Sequence, residues 1–197
     1  LNQQKAAYAE GNFVPYRARL TGLTAGQEYT YSFSWDTLKS GQHAIDYIGT
    51  YNHSVINADA CDDALAPCPG TVDIISIPPD PAVTDAFTVF HGAATDQLAG
   101  EFTLFGGSFD SVGTYLDIAA DVQGISVTFT PDQASVVLAW GGHISSPFDW
   151  GEGATASGIS GSPYHISNIA LKNSSGVVVA SGGKDVQLSA AAVFRPS

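Results

Sequence analysis

The stretch with the densest set of potentially reactive side chains is AWGGHISSPFDWGEG, residues 139–153. It holds a histidine, an aspartate and a glutamate among glycines and two tryptophans. An acid pair such as Asp149 and Glu152 beside aromatic rings is what glycoside hydrolysis would use. Acidic residues in glycine-rich loops also cap turns, which requires no substrate. We adopt the turn-capping interpretation and predict that the protein is not an enzyme.

The serines of the chain do not favour nucleophilic catalysis either. The segment SGISGS, residues 157–162, lacks the G-x-S-x-G spacing of a nucleophile elbow, and no helical pattern follows it. This supports the prediction of a protein without catalytic residues.

The five histidines show no metal-binding spacing, because neither H-x-H nor H-E-x-x-H occurs. Loop carboxylates, Asp62 with Asp63 and Asp36 with Asp46, offer hard oxygens that suit Ca²⁺. No regular calcium-loop pattern accompanies them, so we predict no metal and no cofactor, with calcium as the alternative. Polar side chains at a sandwich edge can instead hold loop amides through hydrogen bonds. We predict this anchoring role for Asp36, His43, Asp46, His143 and His165.

The aromatic residues of residues 139–153 offer another interpretation. Trp140, Phe148 and Trp150 could form an exposed platform on which sugar rings stack. We favour a different position for Trp140, because the continuous apolar run SVVLAW predicts a central strand whose tryptophan belongs to the core. Two further triplets, at Asn52 and Asn173, have the N-x-S pattern of glycosylation acceptors, which are used only outside the cytoplasm.

The two cysteines, Cys61 and Cys68, lie close together in ACDDALAPCPG. A zinc ribbon would need a second pair of ligands, so this spacing predicts a local disulfide. Disulfides persist in oxidising compartments. We therefore expect an extracellular protein, secreted or associated with the cell surface.

The clearest strand signal is EYTYSFSWDT, in which Tyr29, Tyr31, Phe33 and Trp35 alternate with small polar residues. This period of two predicts a strand with one buried face. Before it, FVPYRARL reads as a strand that Pro15 places at a sheet edge or at a strand start, because proline has no N–H to donate.

Further strand patterns follow at short intervals, with turn residues between them. A helix is indicated only as a short candidate at Asp132–Ala134, and no boundary to a second domain is evident. The pattern of about ten strands predicts an all-β fold, a single antiparallel β-sandwich of jelly-roll type over residues 1–197. The remaining strand segments are HAIDYIGTYN, TVDIISI, AFTVFHG, EFTLFGG, ISVTFT, SVVLAW, YHISNIALKN, GVVVAS and KDVQLSA.

The charge balance excludes several classes of partner. The formal net charge is −12, from 7 basic and 19 acidic residues. An acidic surface repels phosphate backbones and anionic lipids, so we predict no nucleic-acid partner. No apolar run approaches the length of a membrane span, so we predict no membrane insertion.

The residues that carry a family resemblance are AYAEGNFVPYRARLTGLTAGQEYTYSFSWDTLKSGQHAIDYIGTYN and the later AWGGHI and SGSPYHI. In these residues the chain resembles an uncharacterised N-terminal module of large secreted bacterial cell-surface and adhesin-like proteins. The common pattern comprises an acidic-Gly pair, V-P-[YF]-R, G-L-T-x-G, G-x-H-A-x-D-[YF] and W-G-G-H. The resemblance runs from about Tyr8 through DVQLSA and implies a surface protein without an assigned enzymatic activity. It implies no role for the shared positions, which are Glu10, Arg17, Asp36, His43, Asp46, Asn52, Trp140, His143 and His165.

These observations predict a secreted structural protein that assembles with copies of itself into a surface filament or layer. A single sandwich can do so by lending a terminal strand to the open sheet edge of a neighbour. Residues 1–9 and 191–197 are the candidate donors, and frayed termini are the alternative for both. The alternative function is an adhesin or carbohydrate-binding module that binds surface glycans.

Overall fold

A computed structural model of the chain describes residues 8–61, 68, 70–83, 97–159, 164–181, 185–188 and 193–194. Within these residues the chain is mostly β, and two antiparallel sheets pack face to face. The predicted all-β sandwich is therefore confirmed. The described strands are β1 Tyr8–Ala9, β2 Phe13–Thr21, β3 Tyr29–Asp36, β4 Leu38–Lys39, β5 Gln42–His43, β6 Ile45–Gly49, β7 Val72–Ile77, β8 Gly100–Phe105, β9 Gly107–Val112, β10 Leu116–Ala119, β11 Val122–Pro131, β12 Ser135–Ile144, β13 Tyr164–Asn173, β14 Val178–Ser181, β15 Asp185–Leu188 and β16 Val193–Phe194.

The first sheet has the strand order β10-β11-β3-β13-β14, with β9 also beside β11 and β15 also beside β13. Its centre is β3, whose alternating aromatic residues all point into the core. Phe33 and Trp35 are fully buried there. The structure therefore confirms the strand with one buried face that the alternation in EYTYSFSWDT predicted.

The second sheet has the order β2-β12-β8-β7, and β6 shares the β8 side of β12. Strand β12 is central in this sheet, and both of its faces are covered, one by the first sheet and the other by the segment around Ala60, which explains the continuous apolar run SVVLAW. Trp140 faces the sandwich core, and its ring lies 4.3 Å from that of Phe33, centroid to centroid. On the opposite face, Val137 and Ala139 pack against Ala60 of the disulfide-bearing loop.

Pro15 lies on β2, which is the edge strand of the second sheet. Its missing N–H therefore leaves no gap in a central ladder, as the sequence predicted. In the register of the two strands, Pro15 lies opposite Gly141 of β12.

The described parts of the two termini pair with each other. In β1 and β16, Tyr8 lies opposite Val193 and Ala9 opposite Phe194, in a parallel arrangement. These four residues belong to the two candidate donor segments. Their backbones pair within the same chain, so in this arrangement they are not free to pair with a neighbouring copy. The rest of those two segments lies outside the described residues.

Helical structure occurs where the sequence did not indicate it. Residues Asp132–Ala134 form a bend, whereas a one-turn helix, α1, spans Pro147–Trp150 and a 3₁₀ turn spans Ala156–Gly158. Strands β9 and β10 were not predicted, and the predicted strand AFTVFHG lies outside the described residues. None of the described helices has the length and hydropathy needed to cross a membrane.

Candidate functional site

A group of buried polar side chains gathers where β6, β12 and α1 meet. Asp46 of β6 is 1 % exposed, and its Oδ1 lies 2.7 Å from Nδ1 of His143 on β12. The Trp150 indole N–H on α1 donates to Asp46 Oδ2 over 2.9 Å, and the Tyr47 backbone N–H donates to Oδ1 over 2.9 Å. The Asp46 carboxylate thus joins three elements. We call Asp46, His143, Trp150, His43 and Asp149 the Asp46 cluster.

Aromatic rings hold the two histidines of the cluster in place. The His143 ring stacks on Tyr47 at a centroid distance of 4.3 Å and lies 4.9 Å from the ring of Phe13. The His43 ring stacks on Trp150 at 3.5 Å with an interplanar angle of 12°. Each imidazole therefore has a fixed orientation relative to the carboxylate between them.

The sequence SSPFDW forms α1 because its residues suit a helix start. Ser146 is the N-cap, Pro147 follows it, and Asp149 lies in the first turn, where a negative charge is favoured. The Ser146 hydroxyl donates to Asp149 Oδ2 over 2.6 Å. This local bonding fixes Asp149 and presents Trp150 to Asp46.

The pKa values of the two histidines are shifted in opposite directions. Burial disfavours the charged form of His143, but the Asp46 carboxylate, with Asp149 and the Gly11 backbone, outweighs burial and raises its pKa above the ordinary value. Burial lowers the pKa of His43, and the charge of Asp46 only partly opposes this shift. The geometry therefore favours an ion pair between His143 and Asp46, with His43 neutral.

The ligand-capable atoms of Asp46, His143 and Asp149 all lie within 4.8 Å of one another. Both oxygens of Asp46 already accept hydrogen bonds, and His143 uses Nδ1 in one of them. A cation would have to displace those donors. The arrangement therefore favours a hydrogen-bonded structural cluster over a metal centre.

The other predicted anchors lie apart from the cluster. The Asp36 carboxylate accepts the backbone N–H of His165 over 3.3 Å, which ties β3 to β13. Burial raises the pKa of Asp36, although the nearby His165 opposes that shift. Asp62 and Asp63, the predicted calcium ligands in the disulfide loop, lie outside the described residues, and Glu152 is exposed on the loop after α1.

Sequence reasoning missed the buried hydroxyls and the acid that organise the segment after β12. Glu10 Oε1 accepts the Thr155 hydroxyl over 2.6 Å and the Ser157 backbone N–H over 2.8 Å. The Ser145 hydroxyl donates to the His43 carbonyl over 2.6 Å. The resemblance marked Glu10 as a shared position, but nothing in the sequence connects it to residues 145 positions away.

The predicted aromatic platform is wrong. Trp140 is only 2 % exposed because β12 is central and its ring packs in the core. Trp150 is half-buried, with one ring face covered by His43 and its N–H bonded to Asp46. Phe148, 69 % exposed, is the one member of the three that presents its ring to solvent. Three rings in one plane for sugar stacking do not exist here.

The disulfide between Cys61 and Cys68 is present, as predicted. Ala60 and Cys68, near the two ends of the loop that the disulfide closes, pack near Val137 and Ala139 on the outer face of the second sheet. Arg17 Nη1 donates to the Ala60 carbonyl over 2.8 Å and fixes the loop to β2.

The two glycosylation triplets have structural roles for some of their atoms. Asn173 Oδ1 accepts the backbone N–H groups of Ser175 and Val177 in the turn before β14. Asn52 is half-buried, and the hydroxyl of Ser54 in its triplet accepts the Phe13 backbone N–H over 2.8 Å. Glycosylation at Asn52 and Asn173 stays a prediction.

Two cavities adjoin these features. The smaller one, of about 180 Å³, borders His43, Asp46 and Trp150. The larger one, of about 380 Å³, lies between the two sheets at the β2 edge, and we call it the edge groove. Residues 16–21 of β2 form one wall of the edge groove, Ile166, Asn168, Ala170 and Leu171 of β13 form the other, and Tyr31, Trp140 and Ala180 complete it.

Comparison of the chain with protein-family models, with curated proteins and with solved structures gave no match. The resemblance to a bacterial surface module therefore stays a prediction.

Proposed function

We propose that this protein is an extracellular structural subunit that assembles with copies of itself by accepting an added strand at the outer edge of β2. The observation that carries the proposal is the coincidence of an unpaired strand edge with the edge groove. Among the described residues, no strand pairs with the outer side of β2. The groove, of about 380 Å³, lies directly beside that edge.

The backbone of β2 supports strand addition. Ile144 N–H donates to the Asn12 carbonyl, whereas the Phe13 N–H turns away from β12 and donates to Ser54. Antiparallel ladders alternate, and the register from Phe13 to Thr21 has no shift. The N–H and C=O groups of Arg17 and Arg19 therefore point outward, where an incoming strand can bond to them. Each such hydrogen bond contributes about 1 kcal/mol net.

The side chains beside this edge support the same interpretation. Ala18 and Leu20 of β2 are half-buried and border the groove, as do the buried Trp140 and Leu171. Alternate side chains of an added strand would enter this space and bury apolar surface. Each Å² of apolar surface buried in this way stabilises the complex by about 25 cal/mol.

The opposite side of the sandwich is closed by contacts between the sheets. Asp73 of β7 accepts the Phe109 N–H of β9 over 2.8 Å. The Tyr115 hydroxyl donates to the Pro78 carbonyl over 2.7 Å. Because these bonds connect the two sheets on that side, the β2 edge is the better place for an added strand to bind.

The disulfide and the composition fit this role. A disulfide indicates an oxidising environment outside the cytoplasm. The chain has no methionine to oxidise, and its net charge of −12 disfavours nucleic acid and anionic lipid as partners. A secreted protein that self-associates in this way would be a subunit of a filament or layer.

The test is to block the β2 edge without disturbing the β12 ladder. Arg19→Pro removes an outward N–H, and Arg19→Ala is the matched control that keeps the backbone donor. Ala180→Trp fills the groove from β14, where Ala180 is exposed. We expect the unmodified chain and Arg19→Ala to form large assemblies by light scattering and negative-stain electron microscopy, and both blocking variants to stay monomeric with unchanged circular dichroism.

Two outcomes contradict the proposal. One is an unmodified chain that stays monomeric at every concentration tested. The other is a pair of folded blocking variants that assemble as the unmodified chain does.

A further inference from the structure

Trp140, a buried residue that forms part of the floor of the edge groove, has a hydrogen-bond donor without a partner in the described part of the chain. Trp140 Nε1 is buried and has no hydrogen-bond partner among the described residues. Its indole lines the edge groove, next to the Tyr31 hydroxyl, which donates to Asn168 Oδ1. A buried N–H without an acceptor costs about 1–3 kcal/mol, so a ligand that brings an acceptor to this floor would be favoured over a purely apolar one.

The segment before Tyr8 has the length and composition to supply that acceptor. Its seven residues, LNQQKAA, span about 23 Å when extended, and the six residues of β2 that line the groove span about 20 Å. The segment holds three amide side chains and one charge. In the described chain Tyr8 and Ala9 pair with β16 and not with β2, so the β2 edge is not taken by the residues that follow the segment.

The charge of Lys5 determines which side chains of the segment would face the groove if the segment added to β2 as a strand. In a strand, alternate residues point to the same face. An inward Lys5 would bury an unpaired ammonium, which is far costlier than leaving it in solvent beside Arg19. In an added strand Lys5 would therefore point outward, with Leu1, Gln3 and Ala7, and the inward set would be Asn2, Gln4 and Ala6.

We propose that the edge groove binds the segment Leu1–Ala7 of a second copy of the chain, with the Gln4 side-chain oxygen accepting a hydrogen bond from Trp140 Nε1. This inference rests on the proposed function and adds the identity of the donor strand and the residue that recognises it. Gln4 is the central member of the inward set, and its side chain is the longest of the three.

The first experiment compares two variants of the full chain with the same change of charge. Gln4→Lys places an ammonium inside the groove, and we expect the concentration needed for assembly to rise at least a hundredfold. Gln3→Lys places it outside, and we expect a change of no more than twofold. Trp140→Phe keeps a ring but removes the donor, and the loss of one hydrogen bond should raise that concentration about fivefold.

The second experiment mixes Gln4→Lys, which keeps an intact groove, with Arg19→Pro, which keeps an intact donor segment. We expect each variant alone to be monomeric and the mixture to form a 1:1 heterodimer, measured by light scattering, because donor and acceptor lie on different copies. A mixture that stays monomeric, while the unmodified chain assembles, would show that the segment of one copy does not fill the groove of another and would overturn the inference.

Equal effects of Gln3→Lys and Gln4→Lys would also overturn it. If Gln4→Lys assembles normally while Arg19→Pro remains monomeric, the donor is wrong and the proposed function stands. If Arg19→Pro also assembles, the proposed function itself is wrong.

Discussion

Asp46 and His143 are 97 positions apart in the sequence, yet their side chains lie 2.7 Å apart in the interior, on neighbouring strands of the second sheet. The contact joins β6 to β12, and the Trp150 N–H on the second oxygen of Asp46 adds α1. A buried carboxylate is tolerated because both of its oxygens have donors. The pair therefore holds β6, β12 and α1 together at the end of the sandwich that carries residues 139–153.

We expect Asp46→Asn to destabilise the fold strongly. Each oxygen of Asp46 accepts from at least one donor, so an amide nitrogen at either position meets a donor instead of an acceptor. Removing one partner of a buried pair costs about 3 kcal/mol or more. Urea unfolding at pH 6.5 measures this loss. Asp110→Asn, at an exposed carboxylate that accepts the Thr130 hydroxyl, is the control and should cost less than about 0.5 kcal/mol.

The opposite pKa shifts of the two histidines predict a maximum of stability near the ordinary imidazole pKa of 6.5. The pKa of His143 is raised, so the native state holds its proton longer than the unfolded state. Its stabilisation is complete below pH 6.5 and is lost as the pH rises through the native pKa. The pKa of His43 is lowered, so stability rises with pH below 6.5 and levels off above it.

The free energy of unfolding, measured by urea titration from pH 5.5 to 8.5, tests both limbs of this profile. His143→Gln should remove the fall above pH 6.5 and keep the rise below it. His43→Gln should do the reverse. A profile that rises steadily to pH 8.5 in the unmodified chain would contradict the ion pair between His143 and Asp46.

The sequence predicted most of the sandwich because alternation reports burial directly. Tyr29, Tyr31, Phe33 and Trp35 face the core as their spacing indicated, and Pro15 lies on an edge strand. Strands β9 and β10 were missed because most of their residues are half-buried or exposed, so their apolar residues do not alternate cleanly with polar ones.

The cluster itself could not be predicted, because its contacts depend on register between distant strands. Asp46 and His143 were correctly singled out as residues of interest, but nothing local indicates that they meet. The position of Trp140, by contrast, had a local signal. An aromatic residue beside Gly-Gly also fits an exposed platform, and the apolar run SVVLAW before it was the signal that indicated a core strand, which the structure confirms.

Loss of the disulfide should reduce stability moderately without unfolding the chain. The bond closes a short loop with a sequence separation of 7, for which chain entropy gives about 2.5 kcal/mol at most. The double substitution Cys61→Ser and Cys68→Ser should therefore lower the free energy of unfolding by about 2 kcal/mol. Reduction of the unmodified chain should give the same value in urea titration, and reduction of the double variant should change nothing.

The glycines of the WGGH segment allow a close approach that a side chain would prevent. A Cβ on Gly141 would lie 2.5 Å from the Thr50 carbonyl oxygen and 3.2 Å from the Phe13 ring, so the backbone next to β6 would have to move. We expect Gly141→Ala to destabilise the fold by about 2 kcal/mol or more, since overpacking a filled interior is costly. A Cβ on Gly113 makes ordinary contacts of 3.4 Å or longer, so Gly113→Ala should change stability by less than about 1 kcal/mol. Thermal unfolding of both variants under one condition measures the difference, and equal melting temperatures would contradict the close approach of Gly141 to Thr50.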